Sequence, residues 1–392
     1  MTGSTTRRFL ILALLCAAGA QAQPAFVVGA AVSQTGAHAD LAADYARGLQ
    51  LWQEELNAAG GLAGRRVELR LLDDRSEAAR AGMLYAQLIR ENADALIGPY
   101  GTAATLVAAA EAESARRVLI NGAGWSRAVH KRSPRYVFQT AVPYNAYGAQ
   151  VLELARAAGL RRAIILARDD PASTEMAAAA HASAARAGIA APTVLPYGGG
   201  IQDFALQVDA AKAAGAEAWI AFGEAGDAAE MAKTFRKLDY APRLFFVRGA
   251  ADARLLAFLG QDAEFTLGET AYHTQAPYAG NPAFVRAFRS KWKRDPGPAG
   301  AEGYAAGQVL AEALRRAGSV DSEKLREALA GLRTGTVLGE YRVDPKTGEQ
   351  LGLHPLVVQV LLGRHEIVWP QAAATARYQL PYPAWGDRRE LK

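Results

Sequence analysis

Short apolar runs alternate along this chain with longer stretches in which apolar positions recur every three or four residues. Residues 26–32 are apolar and rich in β-formers, and they end at Ser33-Gln34-Thr35-Gly36. The next stretch places Leu41, Tyr45, Leu49, Trp52 and Leu56 on one helical face. It stops at Asn57-Ala58-Ala59-Gly60-Gly61, where a glycine C-cap is expected. Strand-like runs follow at 67–72, 95–97 and 118–121, with helical stretches at 77–91 and 103–115 between them. After Tyr136-Val137-Phe138-Gln139-Thr140 the alternation resumes, with strands at 163–167, 193–195, 218–222 and 244–247 beside alanine-rich helices. Residues 284–332 are mostly helical and 340–369 return to short strands. Strands alternating with helices of this length predict right-handed βαβ units and parallel sheets. Two successive sets predict an α/β chain with two doubly wound parallel-sheet lobes.

Two turns stand out against this pattern. At 95–105 a buried strand stops at Gly98-Pro99, because proline cannot donate to a ladder. Tyr100 and Gly101 follow, and Thr102 is placed to cap the alanine-rich helix beyond. The strand at 118–121 ends in a second glycine-rich turn, Asn121-Gly122-Ala123-Gly124-Trp125-Ser126. Such turns leave N–H groups and the positive end of a helix dipole facing the crevice beyond the strands, a seat for an anionic or polar ligand. An ordinary capped βα connection has the same pattern. A large aromatic such as Trp125 in such a loop reads as a wall of the crevice, with burial in the core as the alternative.

The composition, 51% hydrophobic and 21% charged over 392 residues, is that of a globular chain, and the length favours two domains. Arg7-Arg8, the apolar run 9–18 and Ala20-Gln21-Ala22 read as a cleaved export leader, 1–22, with the mature chain starting near Gln23. No run is long enough to span a bilayer. Cys16 is the only cysteine and lies in that leader; Leu15 stands where a lipid-attachment signal has a small residue. Disulfides and thiolate metal sites are therefore excluded from the mature chain. The net charge of +5 and pI near 9.2 come from scattered arginine doublets without interleaved aromatics, so nucleic-acid binding has no support.

Catalytic constellations are missing from the sequence as well. There is no Gly-x-Ser-x-Gly elbow, no His-Glu-x-x-His and no P-loop. The six histidines are dispersed, and are expected on the surface or in loops. Asp73-Asp74 and Asp169-Asp170 sit at strand ends, where capping of the next helix is the plainer role than acid–base work. Gly122-x-Gly124 lacks the rest of a dinucleotide fingerprint, so no cofactor is expected.

An ordered set of motifs resembles the bacterial periplasmic branched-chain-amino-acid-type solute-binding proteins. The set comprises Gly29-x₄-Gln34-Thr35-Gly36, Asn57-Ala58-Ala59-Gly60-Gly61-Leu62-x-Gly64-Arg65 and Leu71-Leu72-Asp73-Asp74. It continues with Gly98-Pro99, Tyr136-Val137-Phe138-Gln139-Thr140, the segment 199–204, Glu302-Gly303-Tyr304-Ala305-Ala306-Gly307, Gly339-Glu340-Tyr341-Arg342-Val343-Asp344 and His354-Pro355. The resemblance implies a type I periplasmic binding fold, whose two lobes are joined by three crossover segments and close like a hinge on a small-molecule ligand. It implies lobes at 25–142 plus 272–353 and 143–271 plus 354–370, a tail at 371–392, and crossovers near 141–144, 270–273 and 353–355. It implies a periplasmic, monomeric protein that delivers its ligand to an inner-membrane ABC-transporter permease; a sensor subunit for a membrane receptor or a secreted enzyme are the other classes to weigh.

Carried over by position, the implied ligand contacts are Leu41, Tyr100, Gly101, Thr102, Ala123, Gly124 and Trp125 from the first lobe. From the second they come from the loops 170–173, 223–225 and 248–250, with Asp170, Ala172, Ser173, Glu224, Ala225 and Gly249 as the contacts. The chain departs from the amino-acid binders at several of these places. Trp125 replaces a hydroxyl residue that holds the ligand carboxylate, and Ala172-Ser173 replaces a Tyr-Gly pair. No acidic residue stands at Gly249 to meet an ammonium group, although Asp252 is close. These departures favour a larger, aromatic carboxylate or polar organic solute over an aliphatic amino acid.

Overall fold

The computed structural model describes residues 24–62 and 64–387. The leader at 1–22, including Cys16, and the end of the tail at 388–392 lie outside the described residues. Five strands, β1 (Phe26–Ala31), β2 (Val67–Leu72), β3 (Ala95–Ile97), β4 (Leu119–Asn121) and β5 (Val137–Gln139), form one sheet in the order β2-β1-β3-β4-β5. All its pairings are parallel. The chain then builds β6 (Ala163–Arg168), β7 (Thr193–Tyr197), β8 (Ala218–Phe222), β9 (Leu244–Val247) and β10 (Leu267–Thr270). A small antiparallel pair, β11 (Thr334–Thr336) and β12 (Gly339–Tyr341), precedes β13 (Leu356–Leu361) and β14 (Arg364–Trp369). The second sheet runs β14-β13-β10-β9-β8-β6-β7.

That second sheet is not wholly parallel, as the strand pattern alone predicts: β10–β13 and β13–β14 are antiparallel. The reason is local. Only Leu362 and Gly363 separate β13 from β14, both with positive φ, which suits a tight hairpin turn and leaves no room for a crossover.

Helices cover both faces of each sheet, so the strands carry apolar residues on both sides. The helices are α1 (Ala39–Ala58), α2 (Ala78–Arg90), α3 (Thr102–Ser114), α4 (Ala149–Ala157), α5 (Pro171–Ala184), α6 (Ala205–Ala213), α7 (Ala225–Lys237), α8 (Arg254–Leu259), α9 (Asn281–Trp292), α10 (Pro298–Ala317) and α11 (Ser322–Ala330). In β1, Phe26, Val28 and Ala30 join a core with Tyr45 and Leu49 of α1 and Val309 of α10, while Ala31 joins Leu88 of α2 and Ala108 of α3 on the other face. The second sheet repeats the arrangement. Ile165 and Ile220 face α4 and α5, whereas Ile164 and Trp219 face α6 and α7.

The α1–α10 contact depends on missing side chains. A Cβ on Gly300 or Gly303 would press on α1 or its neighbours, and at Gly303 it would lie 2.1 Å from the Tyr45 carbonyl oxygen. At Gly307 it would meet the Trp52 ring at 2.2 Å. The tail beyond β14 lies along the second sheet. Tyr382 is buried against Phe245, with ring centroids 5.4 Å apart, and the Trp385 indole N–H donates to Tyr240 O at 3.0 Å.

Candidate ligand cleft

The carboxyl end of the first sheet is built from the turns after β3 and β4. Gly101 has φ +103°, which a side chain would strain. It is Gly101 that precedes α3, and Thr102 is already the first helical residue. Thr102 is therefore not the cap the sequence predicts. Its hydroxyl instead accepts from Ser126 N–H at 3.4 Å and ties the two turns together.

The turn after β4 is held by its own polar groups. Gly124 N–H donates to Asn121 Oδ1 at 2.7 Å, and Gly124 O accepts from Asn121 Nδ2 and Gln139 Nε2. Gly122 and Gly124 leave no room for a Cβ beside Tyr45 and Thr105. Gly101 N–H donates to Ala123 O at 3.0 Å. The expectation that both turns offer free amides is thus corrected for Gly101 and Gly124, whose N–H groups close the loop on itself. His130 lies in a loop, yet it is buried behind this turn, between Asn121 and Thr347 O.

What the two turns present is aromatic. Trp125 meets Tyr100 edge-on at 5.1 Å and 81°, and lies at 6.0 Å and 31° from Tyr144. Tyr100 in turn meets Tyr45 at 6.1 Å. The Trp125 indole N–H donates to Glu302 Oε1 of α10 at 2.8 Å, which fixes the face of the ring. Burial pushes the Glu302 carboxyl up to about 8, against the indole hydrogen bond, so it is protonated at neutral pH. Burial likewise pushes the Tyr144 phenol up to about 12, with the Arg248 charge pulling it the other way. Tyr147 is raised by burial and feels Arg248 and Glu302 as well.

Among the first-lobe residues singled out by sequence, the structure brings Tyr100, Gly101, Thr102, Ala123, Gly124 and Trp125 together. Leu41 stands apart from the apolar face assigned to it, 57% exposed at the start of α1. In the second lobe, Asp170 caps α5 by accepting from Ser173 N–H at 2.9 Å and Ser173 Oγ at 2.8 Å. Ala172 is half-buried beside them. Glu224 precedes α7 in a capping box with Asp227, and Ala225 is buried. Arg168 gathers Asp170, Glu224 and Asp227 at 3.8, 3.3 and 3.4 Å. Gly249 packs so tightly on the turn at Gly223–Glu224 that a Cβ would lie 2.4 Å from Glu224 C. Asp73 and Asp74 do not cap α2, which Glu77 precedes. They stitch the loops after β1 and β2 instead, Asp73 accepting from Gln34 and Thr35 N–H and Asp74 from the Ser33 hydroxyl.

The turn after β4 also touches the second sheet's helices. Glu175 of α5 accepts from Ser126 Oγ at 2.6 Å and from Arg127 N–H at 2.9 Å. Nearby, Glu349 accepts from Arg127 Nε at 3.0 Å and Asn145 Nδ2 at 2.9 Å, which knots the segments that pass between the sheets. Sequence reasoning missed Glu302, Tyr144 and Glu175 as site residues, whereas Arg248 opens the loop 248–250 that the resemblance implies as a source of second-lobe contacts. Glu302 stood inside a recognised motif, but nothing local in the sequence shows that it reaches a tryptophan far away in the chain.

The chain, with two α/β units each built on its own sheet, belongs to the periplasmic binding protein family, matched over residues 26–361. It is similar to an amino acid binding protein of Pseudomonas aeruginosa, 25% identical over 348 residues, which span 82% of this chain and 86% of that one. Its fold resembles an ABC transporter substrate-binding protein from Desulfitobacterium hafniense, with TM-score 0.74 and 25% identity, covering 88% of this chain and all of that one. It also resembles an ABC-transporter solute binding protein from R. palustris solved with benzoate, with TM-score 0.69 and 20% identity, covering 92% and 97% of the two chains. No helix among the described residues is long and apolar enough to cross a membrane.

Proposed function

We propose that this protein captures a planar organic solute with an acidic or polar end, and hands it to an ABC-transporter permease. The observation that carries the reading is the aromatic group of Trp125, Tyr100 and Tyr144 at the mouth of the first sheet, beside the Ser126–Glu175 contact to α5. An indole and two phenols offer flat apolar area at little entropic cost, and a ring stacked among them gains about 0.5–1.5 kcal/mol beyond burial. The benzoate-bound relative supports a ligand of this class, while the amino-acid-binding relative keeps the aliphatic alternative in the screen.

In this reading the leader 1–22 directs the chain to the periplasm, where it acts as a monomer without catalysis or nucleic acid. The lobes 25–142 plus 272–353 and 143–271 plus 354–370 swing about the crossovers near 141–144, 270–273 and 353–355, and the tail 371–392 travels with the second lobe. A thermal-shift screen over aromatic acids, neutral aromatics and amino acids tests it, because a ligand that binds only the folded state raises the melting temperature. The expected hits are flat aromatic solutes, with a change in tryptophan fluorescence. Trp125→Ala is expected to weaken them about tenfold, in line with the loss of ring stacking and area, and to spare small aliphatic ligands. Tight binding of leucine, unaffected by Trp125→Ala, would overturn this assignment of the cleft.

A further inference from the structure

Two arginines stand at the carboxyl end of the second sheet, and the structure treats them differently. Arg168, at the end of β6, is surrounded by Asp170, Glu224 and Asp227. Its charge is satisfied within the protein. Arg248 follows β9 directly and opens the short 3₁₀ turn Arg248–Ala251. Among the described residues it forms no ion pair, and its buried Nε meets no hydrogen-bond partner. Asp252, the carboxylate nearest in sequence, is held by Arg254 through Nη2 at 2.7 Å.

The backbone around Arg248 is rigid. Gly249 N–H donates to Gly223 O at 3.0 Å, and the tight packing of Gly249 on Glu224 holds the turn against the neighbouring loop. The guanidinium acts on the phenols of Tyr144 and Tyr147, opposing the rise that burial causes in both. Tyr144 is the ring that faces Trp125 at 6.0 Å. Arg248 and the indole thus both bear on Tyr144, one from the turn after β9 and the other from the turn after β4.

Two of the acids around this cation are buried. Glu269 of β10 is buried, accepts from Gly148 N–H at 2.9 Å and leaves Oε1 unpartnered. Burial pushes its carboxyl up to about 8. Glu302, across the cleft, is protonated for the same reason. Arg248 is thus left without an ion-pair partner of its own among the described residues, with Asp252 acting on it and Glu175 and Asp170 acting on the same Tyr144.

Resting on the solute-capture reading above, we propose that Arg248 is the specificity-determining residue of the cleft, pairing with the carboxylate of a planar aromatic acid whose ring lies against Trp125 and Tyr144. A guanidinium presents two parallel N–H donors that match a carboxylate, and burial strengthens such a pair.

The experiment measures calorimetric binding of benzoate and of benzamide, its neutral isostere, to the full-length mature protein at neutral pH. Wild type is compared with Arg248→Met and Arg248→Lys, each verified by circular dichroism and melting temperature. Wild type is expected to prefer benzoate over benzamide. Arg248→Met should weaken benzoate about 10- to 100-fold, the range for hydrogen bonds to charged groups, and change benzamide less than about threefold. Arg248→Lys should recover part of the loss, since it keeps the charge but not the fork. Unchanged benzoate affinity in Arg248→Met overturns the proposal, as does equal weakening of both ligands. Equal binding of benzoate and benzamide by wild type also overturns it, yet leaves the aromatic cleft intact. Binding of neither ligand removes the aromatic reading and this proposal together.

Discussion

Glu302 shows how one buried side chain sets conditions for the whole molecule. Its carboxyl is 3% exposed, accepts the Trp125 indole hydrogen bond, and is pushed by burial from 4.5 up to about 8. In the unfolded chain the same group loses its proton near 4.5. Between those values the folded state binds a proton that the unfolded state has released, so stability is full below about pH 4.5 and falls as pH rises through 8. Glu269 adds a second group with the same sign. Melting temperatures recorded from about pH 5 to 9 should therefore decline. Glu302→Gln keeps an acceptor for the indole and cannot ionise, so its decline should be shallower. A slope identical to wild type would show that Glu302 does not titrate in this window.

Elements differ in how far their neighbours can be read from local pattern. The strands and helices were legible because short apolar runs and helical repeats are local properties of the chain. The hairpin Leu362–Gly363 and the antiparallel edge it creates were not, since a two-residue gap was read as continuous short strands. The glycines of α10 illustrate a different limit. Gly303 and Gly307 belong to a recognisable motif, but their reason is the approach of α1, which lies far away in sequence. Gly303→Ala would force a methyl group onto the Tyr45 carbonyl and should cost about 1–3 kcal/mol, as overpacking commonly does. Urea denaturation would measure it. Because the Tyr45 hydroxyl donates to Gly98 O at 3.2 Å, the same substitution should also disturb the turn that carries Tyr100.

At the scale of the molecule, the two-sheet architecture was legible and the contacts around Trp125 only in part. Trp125 was visible because it sits in a glycine-rich turn at a strand end, a local signature. Glu302 and Tyr144 come from distant parts of the chain, and only the folded arrangement brings them to Trp125. The second-lobe positions Asp170 and Glu224 were carried over by resemblance, and the structure gives each a capping role before any other.

The bond between Glu175 and the turn after β4 has a consequence in time rather than in affinity. Two hydrogen bonds, from Ser126 Oγ and Arg127 N–H, must break before α5 can part from that turn. They lie beside the aromatic group, so they bear on the escape of a captured solute more than on its arrival. Glu175→Gln weakens a charge-assisted pair and should shorten the dwell time of a bound solute about tenfold while the association rate changes little. Stopped-flow fluorescence reads both rates, and a changed association rate with unaltered dwell would assign Glu175 to entry instead. Under the proposed function, a clasp of this kind would act as a clock: it would hold the cargo long enough to reach a membrane partner, and that partner would have to undo it to unload.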